Sequence, residues 1–136
     1  MKDALQVGTV ATTSFEVTKA MWPSFDGRVV HEVCSTWDLV RYMEAAARAM
    51  LEPHLLEGEE GIGSRVEVDH CAPAPTGARI DVTATATQVT HDMLVCEIEA
   101  RHAETVVARG EQTQRVLPRT VIEDIMHRAN TRSGDE

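Results

Sequence analysis

The strongest pattern of hydrophobic and polar positions in the chain runs from Thr36 to Leu51 and predicts an amphipathic helix. Apolar side chains spaced three and four residues apart form two adjoining rows, which are Leu39, Met43, Ala46 and Met50, and Val40, Ala47 and Leu51. The opposite face suits solvent and carries Asp38, Arg41, Ala45, Arg48 and Glu52. Ser35 or Thr36 can cap the first turn, where the helix dipole also favours the carboxylate of Asp38.

One residue breaks this pattern. Glu44 falls inside the second apolar row, between Val40 and Ala47. A carboxylate on a buried face costs several kcal/mol unless it is paired, hydrogen-bonded or protonated. We therefore expect Glu44 to be buried, and it is the first candidate for a chemical role.

The segment before the helix predicts one strand and one loop. Residues 6–18 carry Val and Phe among Thr and Gly, which is typical of an irregular first strand. Residues 21–33 contain Pro, Asp and Gly and predict a loop, which is either a flap or a plain connector. Because Trp22 and Phe25 both lie in this loop, we favour a packed flap.

The segment after the helix contains a second unusual residue. Residues 57–63 (EGEEGIG) predict a Gly-rich turn, and residues 64–75 begin as a strand. In that strand Val66, Val68 and His70 share one face by the period of two. His70 is therefore predicted to point inward, either as a satisfied core residue or as a functional group.

The remaining chain predicts a run of strands and a closing helix. Residues 78–90, 93–102 and 105–117 alternate between apolar and polar and are joined by tight turns, which is typical of an antiparallel meander. Thr120 and Glu123 form a capping box that opens a short C-terminal helix. We expect one domain over residues 1–130 and a disordered tail at residues 131–136.

Charge and composition narrow the function. The chain has 136 residues and a formal net charge of −9, without the basic stripe that would collect phosphates, so we expect no nucleic acid partner. We also expect no membrane partner, because there is neither a long apolar run nor a signal-peptide pattern. The three cysteines lack paired spacing and are interpreted as free thiols in the cytoplasm. The histidines lack ligand spacing, so no metal and no other cofactor is expected.

The order of elements predicts an α+β architecture. A long antiparallel sheet with one amphipathic helix must wrap its inner face around that helix. Its alternating edge strands would be protected by pairing with a second copy, so we expect a homodimer, or a higher oligomer built from dimers. This arrangement, an antiparallel sheet around one long central helix with a short C-terminal helix, is the hotdog fold.

Residues 32–77 resemble the fluoroacetyl-CoA thioesterase family of hotdog proteins. In that family a Thr precedes a helix Glu by eight residues, a His follows the Glu by twenty-six, and a Gly precedes the His by seven. Thr36, Glu44, Gly63 and His70 have this spacing. The resemblance implies hydrolysis of a short-chain acyl-CoA or a related acyl thioester, with Thr36, Glu44 and His70 as catalytic residues and Gly63 near the thioester carbonyl.

The chain departs from the family pattern at two places. The fluoroacetate-specific member carries phenylalanines in the loop before the Thr, whereas residues 28–31 here read RVVH. Related hotdog enzymes carry a His two residues before an Arg on the last strand, whereas here Thr113 stands before Arg115. Arg115 is therefore expected either to contact the substrate or to brace the sheet.

Two other functions compete with thioester hydrolysis. A hotdog hydratase or dehydratase is disfavoured, because its Asp-x-Asn-Pro-x-x-x-His signature needs an asparagine and Asn130 alone is present. A non-catalytic acyl-CoA-binding module would keep the pocket and tolerate loss of Glu44. The complete set of Thr36, Glu44 and His70 favours hydrolysis.

The expected chemistry assigns a role to each residue. Glu44 would be general base or nucleophile, His70 would transfer protons, and Thr36 would attack or orient the attacking group. A backbone N–H near Gly63 would hold the carbonyl oxygen. Eight helical residues rise about 12 Å, so Thr36 can meet Glu44 only through a folded-back helix entry or across a subunit interface.

Overall fold

The computed structural model describes residues 1–134. The helices are α1 (Thr36–Leu51) and α2 (Arg119–Gly134). The strands are β1 (Val10–Glu16), β2 (Ser24–Phe25), β3 (Arg28–Val29), β4 (Glu59–His70), β5 (Arg79–Thr90), β6 (Met93–His102) and β7 (Thr105–Pro118).

Helix α1 has the bounds that its sequence predicts. The backbone N–H of Asp38 donates to Ser35 Oγ at 3.2 Å, and Ser35 Oγ donates to the Asp38 carboxylate at 2.7 Å. The cap therefore satisfies a donor of the first turn that has no partner inside the helix. The side chains that α1 buries all belong to the two predicted apolar rows and are those of Leu39, Met43, Ala46, Ala47, Met50 and Leu51, whereas Val40 of the second row is only partly buried.

A five-stranded antiparallel sheet wraps around α1. Its strand order is β1-β5-β6-β7-β4, so β1 and β4 are the two edge strands. The inner face of β5 and β6 packs on the helix through fully buried residues such as Ile80, Val82, Leu94 and Ile98. The meander β5-β6-β7 is confirmed, and its position next to α1 places the core between sheet and helix.

A bulge divides the edge strand β4 into two halves. The register against β7 shifts between Gly63 and Arg65, which leaves Ser64 as an extra residue. Without that residue, a strand that turns Gly63 toward α1 would turn Val68 and His70 to the opposite face. The bulge reverses the alternation, so Gly63, Val68 and His70 all face the helix. The inward orientation predicted for His70 is confirmed.

Three segments differ from the sequence-based expectation. The Gly-rich segment 57–63 is a turn only at its start, because strand pairing with β7 begins at Glu59. The loop over 21–33 contains the two-stranded hairpin β2-β3, and Phe25 of that hairpin lies edge-on to Trp37 at 5.6 Å. The tail expected from residue 131 is helical as far as Gly134, and residues 135–136 lie outside the described chain.

Neither helix within residues 1–134 is long and apolar enough to cross a membrane. Cys34 and Cys96 are buried and Cys71 is exposed, and all three are free, as predicted.

Candidate active site

Thr36 and His70 form a direct pair. Thr36 is the first residue of α1 and is exposed, while His70 ends β4 and is partly buried. Thr36 Oγ1 lies 2.9 Å from His70 Nδ1. A hydroxyl within hydrogen-bonding distance of an imidazole is the arrangement of a nucleophile and its base, or of a hydroxyl that orients a neighbouring group.

The second imidazole nitrogen of His70 has no partner. Among the described residues, His70 Nε2 is the buried side-chain polar atom that lacks a hydrogen bond. If Nδ1 accepts from Thr36, Nε2 carries the proton and is an unsatisfied donor; if Thr36 accepts, Nε2 is an unsatisfied acceptor. In either tautomer, no carboxylate among residues 1–134 orients the ring through Nε2, so these residues do not complete a hydroxyl–imidazole–carboxylate triad within one chain.

Glu44 belongs to a different cluster. Gln112 Nε2 on β7 donates to Glu44 Oε1 at 3.2 Å, and Gly63 on β4 lies directly below the same oxygen. The prediction that Glu44 is buried is wrong for the single chain, because the residue is exposed. The helical period places Glu44 at the rim of the apolar face, where α1 overhangs the edge strand rather than the centre of the sheet.

Two glycines leave room for this cluster. A Cβ built on Gly63 would collide with Glu44 Oε1, and one built on Gly61 would lie 3.1 Å from an Arg48 Nη1 and closer still to Leu51. Both glycines line a cleft of about 400 Å³ beside Glu44, and the space that side chains would fill is part of this cleft. Because Gly63 forms the floor below the carboxylate, the structure supports a steric reason for glycine at the position of the family pattern.

The two clusters lie far apart within one chain. Thr36 and Glu44 are eight residues apart on one continuous helix, which corresponds to a rise of about 12 Å. Gly63 and His70 lie in opposite halves of β4, about 20 Å apart at the usual rise of a strand. The folded-back helix entry that would bring Thr36 to Glu44 is absent from the described chain, since Thr36 is already helical and contacts His70.

Arg115 is not brought to either cluster. Gln112 and Gln114 of β7 face α1, so Arg115 points to the outer face of the sheet by alternation. There it pairs with the carboxylate of Asp92 at 3.6 Å. A role of Arg115 in substrate binding stays a prediction, and the local structure favours the bracing role.

Sequence reasoning missed Gln112 and Gln114. Both are almost completely buried, and Gln114 Nε2 donates to Gln112 Oε1 at 2.9 Å. The sequence does indicate them, because Gln112 and Gln114 occupy inward-facing positions of β7 between Gly110 and Val116, where the alternation predicts apolar residues. Two consecutive inward glutamines indicate a polar group on the element that covers them, here Glu44.

Comparisons with known proteins agree with this fold. A hypothetical protein of Thermus thermophilus, described as a thioesterase superfamily member, superposes with a TM-score of 0.92 at 33% identity, covering 96% of this chain and 97% of that one. A phenylalanine-to-alanine variant of the fluoroacetyl-CoA-specific thioesterase FlK, in complex with fluoroacetate and CoA, superposes with a TM-score of 0.77 at 26% identity, covering 84% of this chain and 96% of that one. The predicted hotdog fold is confirmed, and the class is that of hotdog thioesterases.

The sequence comparison defines the family more closely. The fluoroacetyl-CoA thioesterase of Streptantibioticus cattleyicolor is 28% identical over 123 residues, which cover 86% of this chain and 88% of that protein. The family model for fluoroacetyl-CoA-specific thioesterase matches residues 17–120. The chain belongs to this family of thioesterases.

Proposed function

We propose that this protein is a homodimeric thioesterase that hydrolyses a short-chain acyl-CoA or a related acyl thioester. Each active site would combine Thr36 and His70 of one chain with Glu44 and Gly63 of its partner. The observation that supports this proposal is the division of the family's site residues into two clusters on opposite halves of one edge strand.

The free edge of β4 offers a route to assemble the site. If two β4 strands pair antiparallel about a two-fold axis, the Glu44 half of one strand lies beside the His70 half of the other. With the axis at Val66, and Ser64 counted as the extra bulge residue, the partner's His70 faces Gly61. Gly61 is the inward-facing residue of β4 next to Gly63, and Gly63 is the residue that lies below Glu44.

The residues around Val66 favour this register. The Val66 side chain is 43% exposed on the edge strand, and strand pairing would cover it. Arg65 and Glu67 flank Val66 on the outer face of the strand. A two-fold axis at Val66 therefore places Arg65 of each chain opposite Glu67 of the other chain. Opposite charges across the axis stabilise this register relative to registers that place two arginines or two glutamates face to face.

The proposed reaction begins with addition to the thioester carbonyl carbon. Either Thr36 attacks after giving its proton to His70, or Glu44 activates a water molecule that Thr36 orients. A backbone N–H near Gly63 would hold the oxyanion. The carbon–sulfur bond then breaks and the thiol leaves with a proton from His70. In the first route this proton came from Thr36, and water subsequently hydrolyses the acyl-threonine; in the second route His70 takes back the proton that Glu44 removed from water.

Charge and sequence guide the choice of substrate. The net charge of −9 disfavours an acidic carrier protein as the thiol carrier, so coenzyme A is the better candidate. The segment 28–31 has no phenylalanine, which disfavours the fluoroacetyl selectivity named for the relatives. The unpaired cysteines fit a reducing compartment, and we place the activity in the cytoplasm.

Thiol release from a series of short acyl-CoAs tests the proposal. Glu44→Gln and His70→Ala are each expected to lower kcat/KM by about 100-fold, a usual contribution of acid–base catalysis. Glu52→Gln is the matched control, because Glu52 is an exposed glutamate at the end of α1 outside both clusters. If the wild type binds acyl-CoA without releasing thiol, the protein is instead a binding module.

A further inference from the structure

We infer that Gln112 is a positioning residue that holds the Glu44 carboxylate in its reactive orientation, and that Gln114 sets the direction of the Gln112 amide. The inference rests on the proposed function, in which Glu44 acts on the substrate or on water. It assigns to β7 a part of the catalytic apparatus that the spacing of Thr36, Glu44 and His70 does not contain.

The hydrogen bonds of the two glutamines run in one direction. Gln114 Nε2 donates to Gln112 Oε1 at 2.9 Å, and Gln112 Nε2 donates to Glu44 Oε1 at 3.2 Å. Because the Gln112 oxygen is occupied by a donor, its NH₂ group must face the carboxylate. The relay therefore presents an N–H donor to Glu44, which accepts it with Oε1.

Burial makes this arrangement rigid. Gln112 is 1% exposed and Gln114 is 3% exposed, so neither amide can turn toward solvent without losing a hydrogen bond inside the protein. Glu44, in contrast, is exposed and its side chain has several rotatable bonds. A fixed donor below a mobile carboxylate restricts that carboxylate to the rotamers in which Oε1 faces the sheet.

The other carboxylate oxygen stays available. Within residues 1–134 no hydrogen bond engages Glu44 Oε2, while Oε1 is held between Gln112 and the floor at Gly63. Oε2 is thus the atom that can take a proton from water or attack the thioester.

A purely structural role would not require a polar residue at position 112. A methionine has a similar length and would fill the same space without burying an amide group.

Two variants of Gln112 test the inference. Gln112→Met removes the donor and keeps the length, and Gln112→Asn keeps the amide but shortens its reach. Both are expected to lower kcat by about 10-fold to 100-fold with little change in KM, because a misplaced catalytic group affects the chemical step. Thr113→Val is the matched control, since Thr113 is a buried neighbour on the outer face of the same strand.

A second readout separates positioning from stability. In a Glu44→Gln background the Gln112→Met substitution is expected to cause no further loss of kcat, because the carboxylate that it positions is gone. A substitution that acts only through folding would lower the activity by the same factor in both backgrounds, and that result would overturn the inference.

A third readout does not need activity. In protein labelled with ¹³C-carboxyl glutamate, the Glu44 resonance is identified by its loss in Glu44→Gln. We expect Gln112→Met to shift this resonance and Thr113→Val to leave it in place. An unchanged resonance in Gln112→Met refutes the positioning role, whereas a wild-type protein that releases no thiol refutes the proposed function alone.

Discussion

Two inactive variants should restore activity when they share one dimer. The Glu44→Gln chain keeps Thr36 and His70, while the His70→Ala chain keeps Glu44. If each site draws one cluster from each chain, a mixed dimer has one complete site and one site with both defects. Random mixing gives half mixed dimers, so the unseparated mixture should return to about a quarter of the wild-type activity and the isolated mixed dimer to about half, from a background of about 1% in each parent.

The distances within one chain are the reason why the activity is expected to depend on the mixed dimer. Thr36 and Glu44 are separated by about 12 Å along a continuous helix, so a single chain cannot place both on one thioester carbon. The two variants, with different affinity tags, can be exchanged in mild denaturant, and the mixed dimer can be isolated through both tags. Thiol release from the acyl-CoA that the wild type hydrolyses best then measures its activity.

A reverse mixture provides the control. A wild-type chain paired with a chain that carries both Glu44→Gln and His70→Ala contains no complete shared site, so this mixed dimer is expected to be inactive. A site contained in one chain predicts the opposite results, namely no activity in the first mixture and half of the wild-type activity in the second. Those results, or full activity of a demonstrated monomer, would refute the shared site.

Three further predictions follow from the local structure. Gly63→Ala should displace the neighbouring carboxylate and lower kcat by at least about 10-fold while the melting temperature changes little, because the colliding atom ends a flexible side chain; a normal kcat would contradict this. Val66→Lys should place two lysines at the proposed axis and abolish the dimer in sedimentation together with activity, and a stable Val66→Lys dimer would exclude this register. Burial raises the pKa of Cys34 and Cys96 to about 11, so a thiol reagent at pH 8 should modify Cys71 alone in the native protein and three thiols after denaturation.

Helix α1 and the meander were predictable because each carries its information locally. The apolar rows of α1 and the cap at Ser35 fix its bounds without reference to the sheet. The strands β5, β6 and β7 alternate over ten or more residues each, which few other structures can accommodate. The pair of Thr36 and His70 was accessible through the resemblance together with the inward phase of His70.

The segment 57–63 was predicted wrongly because its role depends on distant residues. Glycine disfavours a strand locally, but Gly61 and Gly63 occupy positions where any side chain would strike α1. Pairing with β7 from Glu59 onward overrides the local preference. The bulge at Ser64 was equally inaccessible, because a period of two assumes that the alternation is never interrupted.

The wrong prediction for Glu44 has an informative cause. The helical period correctly assigns the residue to the apolar side of α1, but it does not tell whether another strand covers that side. In the single chain Glu44 overhangs the edge strand β4 and is exposed. Pairing of β4 with a second copy would extend the sheet below Glu44 and remove the carboxylate from solvent. The apolar pattern around Glu44 is therefore the pattern expected of the dimer, and it supports the same interface that the separated site residues require.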